Sequence, residues 1–279
     1  MSIKIGMIVH FDPATIEKKF AQLKELGMVS LQLGSWDIKF RTDENAELIN
    51  SLCKKYGMEI SALWCGWSPR AYWNFYEGQE TLGLVPVATR YHRLEELMQG
   101  ADWAVKIGAP DLTTHVGYMP ENPYDPNYAG TIVALKTLCS KCKDNGLYFN
   151  FETGQETPTT LLRAIEDVGT GNIGINLDPA NLILYGKANP CDAMDTFGDY
   201  VRGIHVKDAT YPTSGKALGN EVRVGDGKAN FPKLIQLLNE HKYKGHFTIE
   251  REIPEGAEQI ADVKHAMDLI TTEYNKYNW

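Results

Sequence analysis

The stretch Leu147-Tyr148-Phe149-Asn150-Phe151-Glu152-Thr153-Gly154-Gln155-Glu156, with Pro158 just beyond it, holds the pattern that the rest of the chain repeats. An apolar segment runs into a glycine turn, and a helix opens at Pro158. Successive side chains of a strand point to opposite faces, so Asn150 and Glu152 share one face while Phe149 and Phe151 share the other. A carboxylate at the end of an apolar strand is costly unless something pairs with it. Glu152 is therefore expected to be one member of a set of metal ligands, with the other members brought to it by the fold.

Working outward, the same strand-then-helix unit recurs in both directions. Upstream, a buried strand covers Ile3 to His10, and Pro13 opens a helix whose apolar face is Ile16, Phe20, Leu23 and Leu26. Ser30 to Leu33 is a second strand, and Asp43 is placed to cap the helix running to Gly57. Glu59 to Trp64 is a third strand. An aromatic-rich loop follows over about residues 65–88, with Trp67, Tyr72, Trp73, Phe75 and Tyr76; long loops in compact domains are commonly lids or binding loops. Then come a helix from about Thr89 to Ile107, a strand over Asp111 to Gly117 and a helix over Tyr128 to Asp144. Downstream of Glu152 the spacing predicts a helix over Thr159 to Val168, a strand to Asp178 and a short helix over Cys191 to Phe197. A strand over Val201 to Asp208, a helix over Phe231 to Glu240, a strand ending at Glu250 and a last helix complete the chain.

Eight such units within 279 residues fit one α/β domain, a single (β/α)8 TIM barrel over residues 1–279. No G-x-G-x-x-G follows the first strand, which argues against a dinucleotide-binding sheet. The net charge of −8 argues against a nucleic-acid surface and leaves small polar metabolites as partners. No signal-like leader and no run of about 18 apolar residues is present, so the expectation is a cytoplasmic protein without membrane contact. A homo-oligomer is left open. Cys139 and Cys142 form a C-x-x-C inside a helical pattern and lack the second pair that a zinc site needs.

Barrel chemistry sits at the C-terminal ends of the strands, and the last four end on Glu152, Asp178, His205 and Glu250. Each is in phase with the polar side of its strand: Glu152 with Asn150, Asp178 with Asn176, His205 with Lys207, Glu250 with Thr248. Alone, His205 reads as a core histidine and Glu250 as a loop ion pair; four in phase at successive strand ends read as a site. Three converging carboxylates repel one another by several kcal/mol in a low-dielectric pocket. One divalent metal ion relieves that, and three carboxylates with one imidazole suit Mn2+, Mg2+ or Co2+, with Zn2+ also compatible.

The segments Phe151-Glu152-Thr153-Gly154-Gln155-Glu156, Asn176-Leu177-Asp178-Pro179-Ala180-Asn181, His205-Val206-Lys207-Asp208 and Thr248-Ile249-Glu250-Arg251-Glu252 resemble the xylose isomerase-like barrel superfamily. Within it they are most similar to the sugar phosphate isomerase/epimerase group, which includes the ketose 3-epimerases. The resemblance implies one Mn2+-like ion on Glu152, Asp178, His205 and Glu250, with Glu152 and Glu250 also serving as the acid/base pair. The implied substrate is a ketose or sugar phosphate. A carboxylate removes the proton beside the carbonyl to give an enediolate, and a second carboxylate returns it on the other face.

The chain departs from the epimerase pattern in places. Asn181 stands where those enzymes place a histidine, and Arg223 lies closer to the turn Gly225-Asp226-Gly227 than their arginine does. Lys207 is a substitute cation for the substrate, and Glu156 a shifted counterpart of their substrate-contacting glutamate. His115 and Trp64 are further candidate substrate contacts, His10 a weaker one, and the backbone amides of Gly225-Asp226-Gly227 are a candidate phosphate cradle. Competing readings are a non-catalytic sugar-binding barrel and an endonuclease IV-like enzyme with three zinc ions; the latter would need more histidines and a basic groove.

Overall fold

Ten strands form in the computed structural model, which describes residues 2–279, and eight of them close into a barrel. The barrel strands are β1 (Ile5–His10), β2 (Ser30–Ser35), β3 (Glu59–Cys65), β4 (Asp111–Thr114), β5 (Tyr148–Glu152), β6 (Ile173–Leu177), β7 (Val201–Val206) and β10 (Phe247–Ile249). All their pairings are parallel, in chain order around the ring, and β10 closes against β1. The remaining two, β8 (Asp208–Thr210) and β9 (Asn220–Val222), make a small antiparallel hairpin above β7 that the sequence pattern did not announce.

The helices are α1 (Ile16–Glu25), α2 (Asp43–Tyr56), α3 (Gly78–Thr81), α4 (Val87–Lys106), α5 (Pro126–Asp144), α6 (Pro158–Val168), α7 (Pro179–Leu184), α8 (Pro190–Phe197), α9 (Phe231–Glu240) and α10 (Ala257–Tyr274). Thr42, rather than Asp43, caps α2: its side chain accepts from Asn45 N–H, and Asp43 becomes the first helical residue, where its charge complements the helix dipole. Gly57 ends that helix in the left-handed region at φ 64°. None of the described helices is long and apolar enough to cross a membrane.

Parity along β5 is as expected. Phe149 and Phe151 pack edge to face, with ring centroids 5.2 Å apart, in the apolar layer. The inward side is unusually polar for a barrel core. Gln32, Asn150, Asn176 and Thr248 are all buried directly below the strand ends. Gly203 makes room for this layer, because a Cβ there would lie 2.4 Å from Asn176 Oδ1.

The aromatic loop is pinned rather than free. Arg93 of α4 is buried, and its guanidinium donates to the carbonyls of Ser68 (3.1 Å), Pro69 (2.7 Å), Thr81 (2.6 Å) and Gly83 (2.8 Å). Glu96, one turn on, accepts from both the backbone N–H and the hydroxyl of Ser68 at 2.6 Å. Two side chains of one helix therefore satisfy backbone groups across the loop and hold its tryptophans against the barrel mouth.

Candidate active site

Glu152 closes β5, Asp178 directly follows β6, His205 lies in β7 and Glu250 directly follows β10. These four strands are neighbours in the ring, so their ends converge. One ligand atom from each residue lies within 4.8 Å of the other three, and all four atoms are deeply placed. His205 Nδ1 stands 3.1 Å from Glu152 Oε1, 2.9 Å from Glu250 Oε2 and 3.5 Å from Asp178 Oδ2. His205 Nδ1, Glu250 Oε2 and Asp178 Oδ2 are buried, and no hydrogen bond satisfies them.

Buried polar atoms left in this state are costly unless something else binds them. Donors on one divalent ion at about 2.1 Å lie about 3 Å apart when adjacent. The imidazole-to-carboxylate spacing is of that size. Three carboxylates and one imidazole nitrogen therefore form a donor set that could hold one divalent metal ion, and it is the one such group among the described residues.

Three of the four candidate donors are aimed by a neighbour. Gln32 Oε1 lies 2.6 Å from His205 Nε2; the amide oxygen can only accept, so Nε2 carries a proton and Nδ1 is the nitrogen turned to the carboxylates. Gln32 is held in turn by donating its Nε2 to Asn176 Oδ1 at 3.3 Å. Asp178 is the N-cap of α7, with Oδ1 accepting from Asn181 N–H at 2.9 Å and Oδ2 left for the site. The Thr153 hydroxyl accepts from Asp178 N–H and donates to its carbonyl, both at 2.8 Å. Trp64 Nε1 donates to Glu152 Oε2, leaving Oε1 toward His205. Gln32 was not singled out from the sequence. Its signal is an amide between Leu31 and Leu33 on a fully buried strand, at the parity of the barrel interior.

Charge is finely divided across this cluster. Burial pushes the Glu152 and Asp178 carboxyls above their ordinary values, even against the pull of His205 and Lys207. Glu250 goes the other way: burial raises it, but Lys207 and His205 beside it outweigh that and hold it well below the usual range. Lys207 Nζ lies 3.2 Å from Glu250 Oε2, 3.8 Å from Asp178 Oδ2 and 2.7 Å from Glu252 Oε2. His115 Nε2 is 3.6 Å from Glu152 Oε1, and burial brings its imidazole down to about 4, so it is neutral at pH 7.

Above the cluster is a cavity of about 300 Å³. Among the residues expected at the site, Glu152, Glu250, Trp64, His115, Asn181, Lys207 and His10 line it. Trp36, Trp73, Gln155, Tyr185 and Glu252 line it as well. Glu156 does not: Gln155 takes the cavity side, and Glu156 is buried outside the lining. Arg223 is also absent from the wall; it is half exposed and pairs with Asp226, three residues on, at 3.0 Å.

The turn Gly225-Asp226-Gly227 binds an anion, but the anion is internal. The Asp208 carboxylate accepts from the N–H groups of Ala209 (2.8 Å), Gly225 (3.0 Å), Gly227 (3.1 Å) and Ala229 (2.9 Å). The phosphate cradle anticipated there is therefore already filled by the chain's own side chain.

The profile described as xylose isomerase-like TIM barrel matches residues 20–272. The chain belongs to this family. The xylose isomerase domain protein of Planctomyces limnophilus is 33% identical and superposes with a TM-score of 0.92 over 99% of both chains. L-ribulose 3-epimerase, at 15% identity, shares the fold with a TM-score of 0.74 over 98% of this chain and 95% of the other. An uncharacterized protein of Methanocaldococcus jannaschii, MJ1311, is 24% identical over 191 residues, and the match spans 63% of each chain, just under two thirds of that relative's length. In this chain Glu152, Asp178, His205 and Glu250 converge at the C-terminal mouth of the barrel.

Proposed function

We propose that the protein is a divalent-metal-dependent sugar isomerase/epimerase that inverts or relocates a C–H centre next to a ketose carbonyl, with 3-epimerisation as the leading activity. The observation that carries this reading is the placement of Glu152 and Glu250. They stand three strand steps apart around the ring, on β5 and after β10, and both reach the same cavity while sharing His205 Nδ1 at 3.1 and 2.9 Å. Two carboxylates on different sides of one sugar can take a proton from one face and return one to the other.

Glu152, Asp178, His205 and Glu250 would hold the ion; three oxygen donors and one nitrogen favour Mn2+, with Mg2+, Co2+ and Zn2+ as substitutes. When bound, such an ion supplies Lewis acidity that makes the C–H beside the carbonyl easier to ionise. The chain's own groups do the rest. One of the two glutamates removes the proton, leaving an enediolate, and the other delivers a proton to the opposite face. Lys207, cationic and buried at the edge of the cavity, stabilises negative charge on the substrate oxygens. His115, neutral, and Asn181 offer hydrogen bonds to hydroxyls without adding charge. Because the Gly225–Gly227 amides are occupied by Asp208, a free sugar is favoured over a sugar phosphate.

The test is hydrogen exchange. Ketoses incubated in D2O with the protein and Mn2+ are expected to take up deuterium beside the carbonyl. EDTA should abolish the uptake, and Glu250→Gln or Glu152→Gln should lower its rate by about a hundredfold or more. No uptake by any ketose with Mn2+, Mg2+ or Co2+, or full activity in either glutamine variant, would overturn the reading.

A further inference from the structure

Beside the catalytic cavity lies a second one of about 700 Å³, walled by Trp36, Trp67, Trp73, Ile38, Asp37 and Arg70. Trp36 and Trp73 belong to both walls. Their rings meet edge to face, centroids 6.4 Å apart at 88°, so two indoles are all that is shared between the compartments. The aromatic surface is preset. Trp36 rests on Gly66, where a Cβ would come within 2.4 Å of its ring. Trp67 lies nearly parallel to Trp73 at 6.3 Å, carries the Arg93 guanidinium 4.1 Å over its ring, and donates Nε1 to Thr114 Oγ1 at 3.1 Å. The two charged residues differ. Asp37 is engaged by Lys39 through its backbone N–H and its ammonium. Arg70 is exposed on the rim and makes no hydrogen bond or ion pair among the described residues.

The inner cavity is at the small end of ligand pockets, which run from about 300 to 1,000 Å³. It suits one sugar unit and leaves little for a substituent. The outer cavity offers what a second ring needs: fixed indole faces for the C–H side of a pyranose, and a free guanidinium whose five N–H groups can only donate, as hydroxyl and ring oxygens require. We propose that the outer cavity is a second sugar subsite, and that the preferred substrate is a ketose carrying a glycosyl group. The ketose unit sits at Glu152 and Glu250, and the glycosyl ring lies against Trp36 and Trp73, which the buried Trp67 backs, within reach of Arg70. This rests on the isomerase/epimerase reading above.

The experiment compares deuterium uptake by D-fructose with uptake by its glycosylated forms trehalulose, maltulose and isomaltulose, which carry the second ring on different oxygens. At least one keto-disaccharide is expected to show a kcat/KM tenfold or more above that of fructose. Arg70→Ala, a rim substitution that leaves the barrel packing alone, should lower the ratio of disaccharide to fructose kcat/KM by about tenfold. If no disaccharide exchanges faster than fructose, or if the ratio is unmoved by Arg70→Ala, the subsite proposal is wrong while the exchange chemistry stands. If no sugar exchanges at all, saturation-transfer NMR with the same disaccharides decides. Transfer to the glycosyl ring that Arg70→Ala weakens upholds the subsite without the isomerase reading, and no transfer to that ring overturns it.

Discussion

Gln32 does not line the cavity above the carboxylate cluster, yet its amide decides which nitrogen of His205 faces that cluster. Gln32→Leu keeps the volume and removes the acceptor, so the imidazole loses both its tautomer and its orientation. Groups behind a metal ligand typically affect affinity 10- to 100-fold. Mn2+ affinity measured by calorimetry is expected to fall by about that much, and affinity within twofold of the parent would show that barrel packing alone orients the ring. Glu156 presents a different single-residue effect. Burial pushes its carboxyl up to about 8, against the backbone amides of Glu156 and Gln155 and the charge of Lys187. The folded protein therefore keeps a proton that the unfolded chain releases near pH 4.5. Between those values the unfolded state binds fewer protons, and stability falls as pH rises, by up to about 1.4 kcal/mol per unit. Glu156→Gln imitates the protonated form and removes that slope. Thermal denaturation should show the variant gaining on the parent steadily from pH 5 to pH 8; parallel curves would mean that the carboxylate is ionised and solvated.

At the level of the element, the segment after β7 is organised around Asp208. Four N–H groups from Ala209, Gly225, Gly227 and Ala229 converge on one carboxylate, and Gly227 is glycine because a Cβ there would sit 2.1 Å from Asp208 Oδ1. Hydrogen bonds to a charged group contribute about 1.5–3 kcal/mol each, and stranded buried donors add a penalty. Asp208→Ala is expected to cost about 3 kcal/mol or more in urea denaturation, whereas an unchanged midpoint would show that water replaces the carboxylate. The expectation that this glycine turn binds an anion was sound in its chemistry; which anion depends on Asp208, placed opposite by the β8–β9 hairpin. That hairpin and α7, with three residues per strand and six in the helix, are too short to leave a period in the sequence. The eight long units did leave one. Their alternation, and the polar residues at the ends of β5, β6, β7 and β10, were legible because the two buried strand faces meet different surroundings, apolar helices outside and a polar layer inside, which imposes a period of two on the sequence.

Across the whole molecule, metal and stability should be linked. Burial leaves the clustered carboxylates short of partners, so an ion that binds the folded state alone stabilises it by about 2.7 kcal/mol at a hundred times its Kd. Titrating Mn2+ into EDTA-treated protein is expected to raise Tm by several degrees, and the rise should vanish in His205→Ala. A Tm indifferent to Mn2+, Mg2+ and Co2+ alike would mean that the cluster is held by its own protons and by Lys207.

By itself the sequence determined the eight-fold repeat, the barrel it closes into, and the four polar residues at the ends of β5, β6, β7 and β10, because strand periodicity and strand ends are local properties of the chain. Only the tertiary structure decided which polar groups meet across the ring. Gln32 and His205 are 173 residues apart, Trp36 reaches Trp73 from another loop, Asp208 claims the amides of Gly225 and Gly227, and Arg223 turns away to Asp226. Those pairings depend on how far each strand is shifted against its neighbours when the barrel closes and on how each loop folds back over it. A one-dimensional pattern does not contain that information.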